Sequence, residues 1–271
     1  MSHGSDLAVW KACIPEEAVR HDFLIDGLLA LSSLHLASKD PGEEQRHTKI
    51  AFHYQNTGLR QYAKALESIT VDNNHAIFAY ADITTVMALA VTVSHQQMTF
   101  ADCTASLVSM FELLQGVRIV SEESKDPLRT GKFRLLFHGI PLNLEQTVPA
   151  PDVLEAMLDL RERAGTVTKY VQPDRYGVYL SGIDRLELVF GRVATSDHLG
   201  PIIAWPTMID KKLVELFEQG EPMAQLIFLH YGVLLLYTHD RWWGKGFGLQ
   251  LIDGLTAFLS AIDADWVAQT Q

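Results

Sequence analysis

Two stretches of this chain are apolar on every face that a helix can present. HAIFAYADITTVMALAVTV (75–93) and PMAQLIFLHYGVLLLY (222–237) hold too few polar residues to keep one side in water. Helices of this kind are buried all round or line a cavity. β-Branched residues between Ile83 and Val93 leave a strand open locally. Length and the lack of glycine or proline favour a helix. Elsewhere the apolar positions follow helical spacing, with no trustworthy alternation of period two, no hairpin turn and no internal repeat. The expected class is all-α: one globular domain over 1–271, roughly eight to ten helices enclosing an apolar pocket. Residues 121–150, with prolines, glycines and a charged opening, read as an irregular connection.

Helix signals punctuate the chain. Pro15, followed by Glu16 and Glu17, reads as the first turn of one long helix that carries Phe23 to Leu36. Pro41 opens an amphipathic helix, and Asp72-Asn73-Asn74 is a turn and cap. Thr207 is placed to cap the segment that ends at Gly220. Pro222 starts the central apolar helix, and Leu249 to Ile262 forms the last one.

Composition narrows the function classes. The net charge is −11, from 33 acidic and 22 basic residues. No lysine- or arginine-rich run appears, so direct nucleic-acid contact by this chain is not expected. Two cysteines, Cys13 and Cys103, are too few for a disulfide framework or a cysteine zinc cluster. The simplest compartment is a reducing one, nucleus or cytoplasm. MSHGSDLAVW has no signal-peptide pattern. The longest apolar runs are interrupted by His230 or by threonines before they reach the roughly 18–20 residues of a membrane span. The 11 histidines include no His-x-x-x-His pair and no HExxH, so no metal site is expected. Gly244-Lys245-Gly246-Phe247-Gly248 follows no strand, so it makes a poor dinucleotide fingerprint, and no cofactor is expected.

Two polar groups stand out inside apolar helices. His230 needs a hydrogen-bond partner if buried, as a satisfied core histidine, a pocket contact or a general base. Asp82 would have its pKa raised by burial unless an arginine from another helix pairs with it. Trp242 and Trp243 beside alternate glycines suit either plain core or the wall of a pocket for a planar apolar ligand, because glycine permits close backbone approach. The expected ligand-contacting set is Tyr80, Thr84, Met87, Phe111, Trp205, His230, Tyr231, Leu234, Trp242, Trp243, Phe247 and Phe258.

Four blocks together carry a family likeness: FLIDGLLALSSLHLA (23–37), ELLQGVRIV (112–120), IIAWP (202–206) and LIFLHYGVLLLYTHDRWWGKGFGLQLIDGL (226–255). In content, order and rough spacing they resemble the C-terminal effector domain of fungal zinc-cluster transcription factors of the sterol-uptake-control type. The resemblance implies an all-α domain whose apolar pocket takes a sterol-like ligand that switches the factor between inactive and active states. The family's six-cysteine zinc cluster and basic linker are not in this sequence. Two expectations therefore stand side by side. One is a regulatory domain that binds a sterol- or terpenoid-like molecule, with a homodimer compatible with it. The other is a stand-alone cofactor-independent cyclase, pericyclase or isomerase of natural-product biosynthesis. In that case His230 or Asp82 supplies the acid or base.

Overall fold

Apolar periodicity becomes helix wherever the computed structural model describes the chain: residues 9–94, 101, 104–112, 148–168, 173–195 and 199–269. Among these residues the protein is helical with no strand. A π-helical turn, Val9–Cys13, leads into α1 (Ile14–Ala18). Then follow α2 (Asp22–Lys39), α3 (Glu44–Leu66), α4 (Asn74–Ser94), α5 (Pro151–Thr168), α6 (Pro173–Thr195) and α7 (Gly200–Met208). Next come α8 (Lys211–Glu218), α9 (Pro222–Leu235) with a 3₁₀ tail at Leu236–Thr238, and α10 (Phe247–Gln269). Residues 104–112 are also helical. The chain divides into two compact units: one holds α1 to α4 with Arg241–Trp243, the other α5 to α10. The connection expected at 121–150 lies outside the described residues up to 147.

In the first unit the single long helix expected from Pro15 is two helices. The chain breaks at His21, which is extended (φ −135°, ψ 100°). The His21 ring explains the break. Its Nε2 lies 3.2 Å from the Asp72 carbonyl oxygen and 3.4 Å from Glu17 Oε1, so a distant turn holds the residue out of helical geometry. Pro41 does not open α3 either. The Asp40 carboxylate accepts the Gly42 N–H at 3.0 Å and forms a turn, which delays the helix to Glu44. Asn73 closes the next turn as expected: its Oδ1 accepts the Thr70 N–H at 2.7 Å and its Nδ2 donates to the Ser68 carbonyl at 2.9 Å.

Helix α4 resolves the strand ambiguity. Its threonines turn their hydroxyls onto the preceding turn, Thr84 to the Tyr80 carbonyl at 2.8 Å and Thr85 to that of Ala81 at 2.9 Å. The window Asn74–Val91 is long and apolar enough to cross a membrane by length and composition alone. Of that window, 78% is buried inside the protein. Helices α2 and α3 pair along their length, and both pack on α4. At that junction the Tyr80 ring fills a slot made by two glycines. A β-carbon at Gly27 would lie 2.8 Å from the ring, and one at Gly58 would lie 2.7 Å from its hydroxyl.

In the second unit, Asp210 rather than Thr207 caps α8: its Oδ1 accepts the Lys212 N–H at 2.8 Å. The Thr207 hydroxyl instead donates to the Ala204 carbonyl within α7. Gly220, at φ +75°, ends the α8 segment, and the Glu221 carboxylate caps α9 through the Ala224 N–H at 2.9 Å. The last helix starts two residues earlier than expected, at Phe247. Helices α9 and α10 cross almost backbone to backbone. A β-carbon at Gly248 would lie 2.9 Å from the Gly232 carbonyl oxygen and 3.0 Å from backbone atoms of Leu235 and Leu236.

Gly248→Ala should therefore cost about 1–3 kcal/mol, because backbone cannot step aside as a flexible side chain can. Gly177→Ala on exposed α6, where nothing lies within 4 Å, should be neutral or stabilising. The gain there is up to about 1 kcal/mol. Urea denaturation of both variants measures the difference. Equal stabilities would remove the crossing from this account.

Candidate functional site

Each residue singled out in the sequence belongs to one of the two units. Tyr80, Asp82, Thr84, Met87, Phe111, Trp242 and Trp243 lie in the first, and Trp205, His230, Tyr231, Leu234, Phe247 and Phe258 in the second.

The first unit places Tyr80 in an aromatic cluster between helices. Its ring centroid is 4.7 Å from that of Tyr62 and 5.6 Å from that of Phe23, and its hydroxyl donates to the Gln55 carbonyl at 3.4 Å. Met87 and Phe111 are buried, and the Thr84 proton is committed to its own helix. Trp242 is half-buried with its ring 5.0 Å from that of His35, whereas Trp243 is buried and its indole N–H makes no hydrogen bond among the described residues.

Asp82 is the chemically distinctive group of this unit. It is half-buried in the most apolar stretch of α4. The arginine expected to pair with it is not there: among the described residues no cation and no hydrogen-bond donor meets its carboxylate. Burial alone pushes it up to about 7. Tyr62, half-buried on α3, is raised by burial and by the Asp82 charge. Asp26, on α2, is raised by burial and then by Asp22, with His53 opposing. The Tyr80 hydroxyl is raised by burial, Asp26 and Tyr62. Two carboxylates and two phenols thus share one electrostatic environment at the α2–α3–α4 junction. Tyr62 and Asp26 were not singled out in the sequence. Tyr62 occupies an apolar position of an amphipathic pattern, and Asp26 looks like an ordinary exposed acid.

The second unit brings Trp205 and Tyr231 together. Their rings stack at 4.4 Å and 22°, and the buried Tyr231 hydroxyl donates to the Ile202 carbonyl at 3.2 Å. Phe228 meets Trp205 edge-on at 5.3 Å and stacks on Phe217 at 4.0 Å. The stack ties α7, α8 and α9 together. The Trp205 indole N–H is buried and makes no hydrogen bond among the described residues. Leu234 and Phe247 are buried, and the Phe258 ring approaches Gly220. His230 is half-buried, and its Nδ1 lies 2.9 Å from the Leu226 carbonyl oxygen of its own helix. A carbonyl only accepts, so Nδ1 carries the proton in this contact.

The alternate glycines have structural uses. Gly246 adopts φ +85° in the turn, Gly248 makes the α9–α10 crossing, and Gly244 has its backbone on Thr238, where a β-carbon would lie 2.6 Å from that of Thr238.

No family model matches the chain. Two curated relatives do. Sterol uptake control protein 2 of Candida albicans is 24% identical over 243 residues, 85% of this chain and 33% of that protein. Sterol uptake control protein 2 of Saccharomyces cerevisiae is 27% identical over 248 residues, 84% of this chain and 24% of that protein. The chain thus spans a third or less of the length of the relatives it matches.

The raised Asp82 carboxyl makes stability depend on pH. An unfolded aspartate ionises near its ordinary 3.8, and folded Asp82 near 7. Between those values the unfolded chain sheds its proton first, so the Asp82 contribution to stability falls as pH rises through that window. Asp82→Asn should be close to wild type in stability at pH 4 and more stable at pH 8. Urea midpoints at the two pH values test this, and a difference that does not grow with pH removes the desolvated carboxylate.

Proposed function

We propose that residues 1–271 form one all-α ligand-responsive regulatory module, of the type found in fungal zinc-cluster transcription factors, and bind a sterol- or terpenoid-like small molecule. The observation that carries this reading is the similarity to two sterol uptake control proteins, which runs through at least 84% of the chain rather than one motif. Such a module works in the nucleus or cytoplasm, and its net charge of −11 suits a domain that leaves DNA contact to another part of a factor.

The affinity for such a ligand comes from burying its flat hydrocarbon skeleton, worth about 25 cal/mol per Å² before the costs of ordering. Orientation comes from a polar anchor. A carboxylate that lacks a partner in an apolar setting gains more from a ligand hydroxyl than a solvated one does. Asp82, with Tyr62 beside it, offers that group.

A second reading is favoured by the same residue. A carboxyl near pKa 7 with no partner among the described residues has the properties of a general acid or base. The chain would then be a cofactor-independent cyclase, pericyclase or isomerase acting on a hydrophobic substrate.

Native mass spectrometry with ergosterol and with a terpenoid alcohol separates the readings. The regulatory reading expects a one-to-one complex released unchanged, and Asp82→Asn should weaken it by about tenfold, the loss of one charge-assisted hydrogen bond. No complex with either ligand would defeat it. The enzymatic reading expects a product of altered retention and unaltered mass, and Asp82→Asn should slow its formation by about 10²–10⁴-fold. Ligand recovered unchanged, or turnover undiminished in that variant, would defeat the enzyme.

A further inference from the structure

Helix α2 is apolar on two sides. One side, with Phe23, Leu24, Ala30, Leu31 and Leu34, is buried in the first unit. On the other, Ile25, Leu29 and Leu36 are 37%, 40% and 51% exposed. Packing among the described residues accounts for the first side only.

The exposed side has an internal order. Asp22, Ile25, Leu29, Ser32, Leu36 and Lys39 are all exposed, and they follow one another at spacings of three, four, three, four and three. That is the seam spacing of a coiled coil, which keeps one stripe facing a partner helix. The stripe is also complementary to its own reverse. Against a second copy running the other way, Asp22 faces Lys39, Ile25 faces Leu36 and Leu29 faces Ser32, each pair summing to position 61. The apolar layers fall in the middle and the opposite charges at the ends. A parallel copy would instead set Asp22 against Asp22 and Lys39 against Lys39. An unrelated apolar partner or a membrane surface would explain the leucines but not the reversed order of charges.

The geometry points to α2 as a homodimer seam, in which two copies of this chain pair antiparallel through Ile25, Leu29 and Leu36, with Asp22 of each copy reaching Lys39 of the other. A two-fold axis passes between Leu29 and Ser32, making the contact isologous. Neither reading of the function requires it.

Sedimentation velocity on the full chain, with circular dichroism as the check on folding, tests the seam. Wild type should be a dimer. Leu29→Arg sets two like charges beside the axis and should give a folded monomer. Asp22→Lys and Lys39→Asp should each raise the dimer dissociation constant by about tenfold, one lost ion pair repeated twice by symmetry. The double variant should recover the wild-type value. Helix-dipole placement alone also favours an acid at residue 22 and a base at 39. It predicts a less stable double variant with no recovery of association, so recovery is the deciding readout. A wild type that is monomeric at every concentration overturns the proposal, as does a dimer that survives Leu29→Arg. A wild-type monomer that floats with phosphatidylcholine vesicles through Leu29 overturns it in favour of a lipid surface.

Discussion

The absence of a β-carbon at Gly27 and Gly58 decides how the first unit is built. Only because both positions are bare can the Tyr80 ring enter between α2 and α3 and meet Tyr62 and Phe23. That insertion fixes the rotation of α4 about its axis. With Tyr80 turned inward, Asp82 is carried about 200° around the helix to a half-buried position from which its charge still reaches Tyr62. The one acidic side chain of a 21-residue apolar helix therefore sits where it does because of a steric allowance made on two other helices.

The second unit uses the same economy. Gly232 and Gly248 allow α9 and α10 to touch through their backbones, while Phe228 and Tyr231 of α9 carry its aromatic contacts. Those two rings receive Trp205 from α7 and Phe217 from α8. The buried Tyr231 hydroxyl and the Gln225 amide then each reach a carbonyl of a neighbouring helix, those of Ile202 and Phe217. Apolar area gives this core its bulk, and the two polar contacts fix which helix meets which.

Helix class and several helix starts were legible, because they depend on local chemistry: a proline at the first turn, an asparagine in a turn, a glycine at positive φ. The failures share a cause. The break at His21 depends on the Asp72 carbonyl, 51 residues away, and no neighbour of His21 announces it. Thr207 and Asp210 are both sound caps by type, and only the direction in which α8 leaves selects Asp210. The alternate glycines drew attention as a ligand surface; their uses in packing and turning lie in the close approaches of Gly244 and Gly248 and the positive φ of Gly246, which spacing does not announce. At the candidate site, Asp82 was conspicuous because it interrupts apolar residues. Tyr62 and Asp26 were not, since what distinguishes them is the company they keep across helices.

That company bears on how a bound molecule would be sensed. A carboxyl near pKa 7 is divided between its two forms at neutral pH, and a small change in solvation moves it strongly toward one of them. On the proposed reading, a ligand hydroxyl donated to Asp82 would favour the charged form, and that charge would raise Tyr62 further. An apolar surface that only excludes water drives Asp82 toward the neutral form and relieves Tyr62. Ligands of the same shape with and without a hydroxyl would thus leave the α2–α3–α4 junction in different charge states. The same helix α2 carries Asp26 on one flank of this junction and Ile25 and Leu29 on its exposed face. Asp26 and Ile25 are adjacent in sequence, so the junction and the exposed face are two sides of one helix.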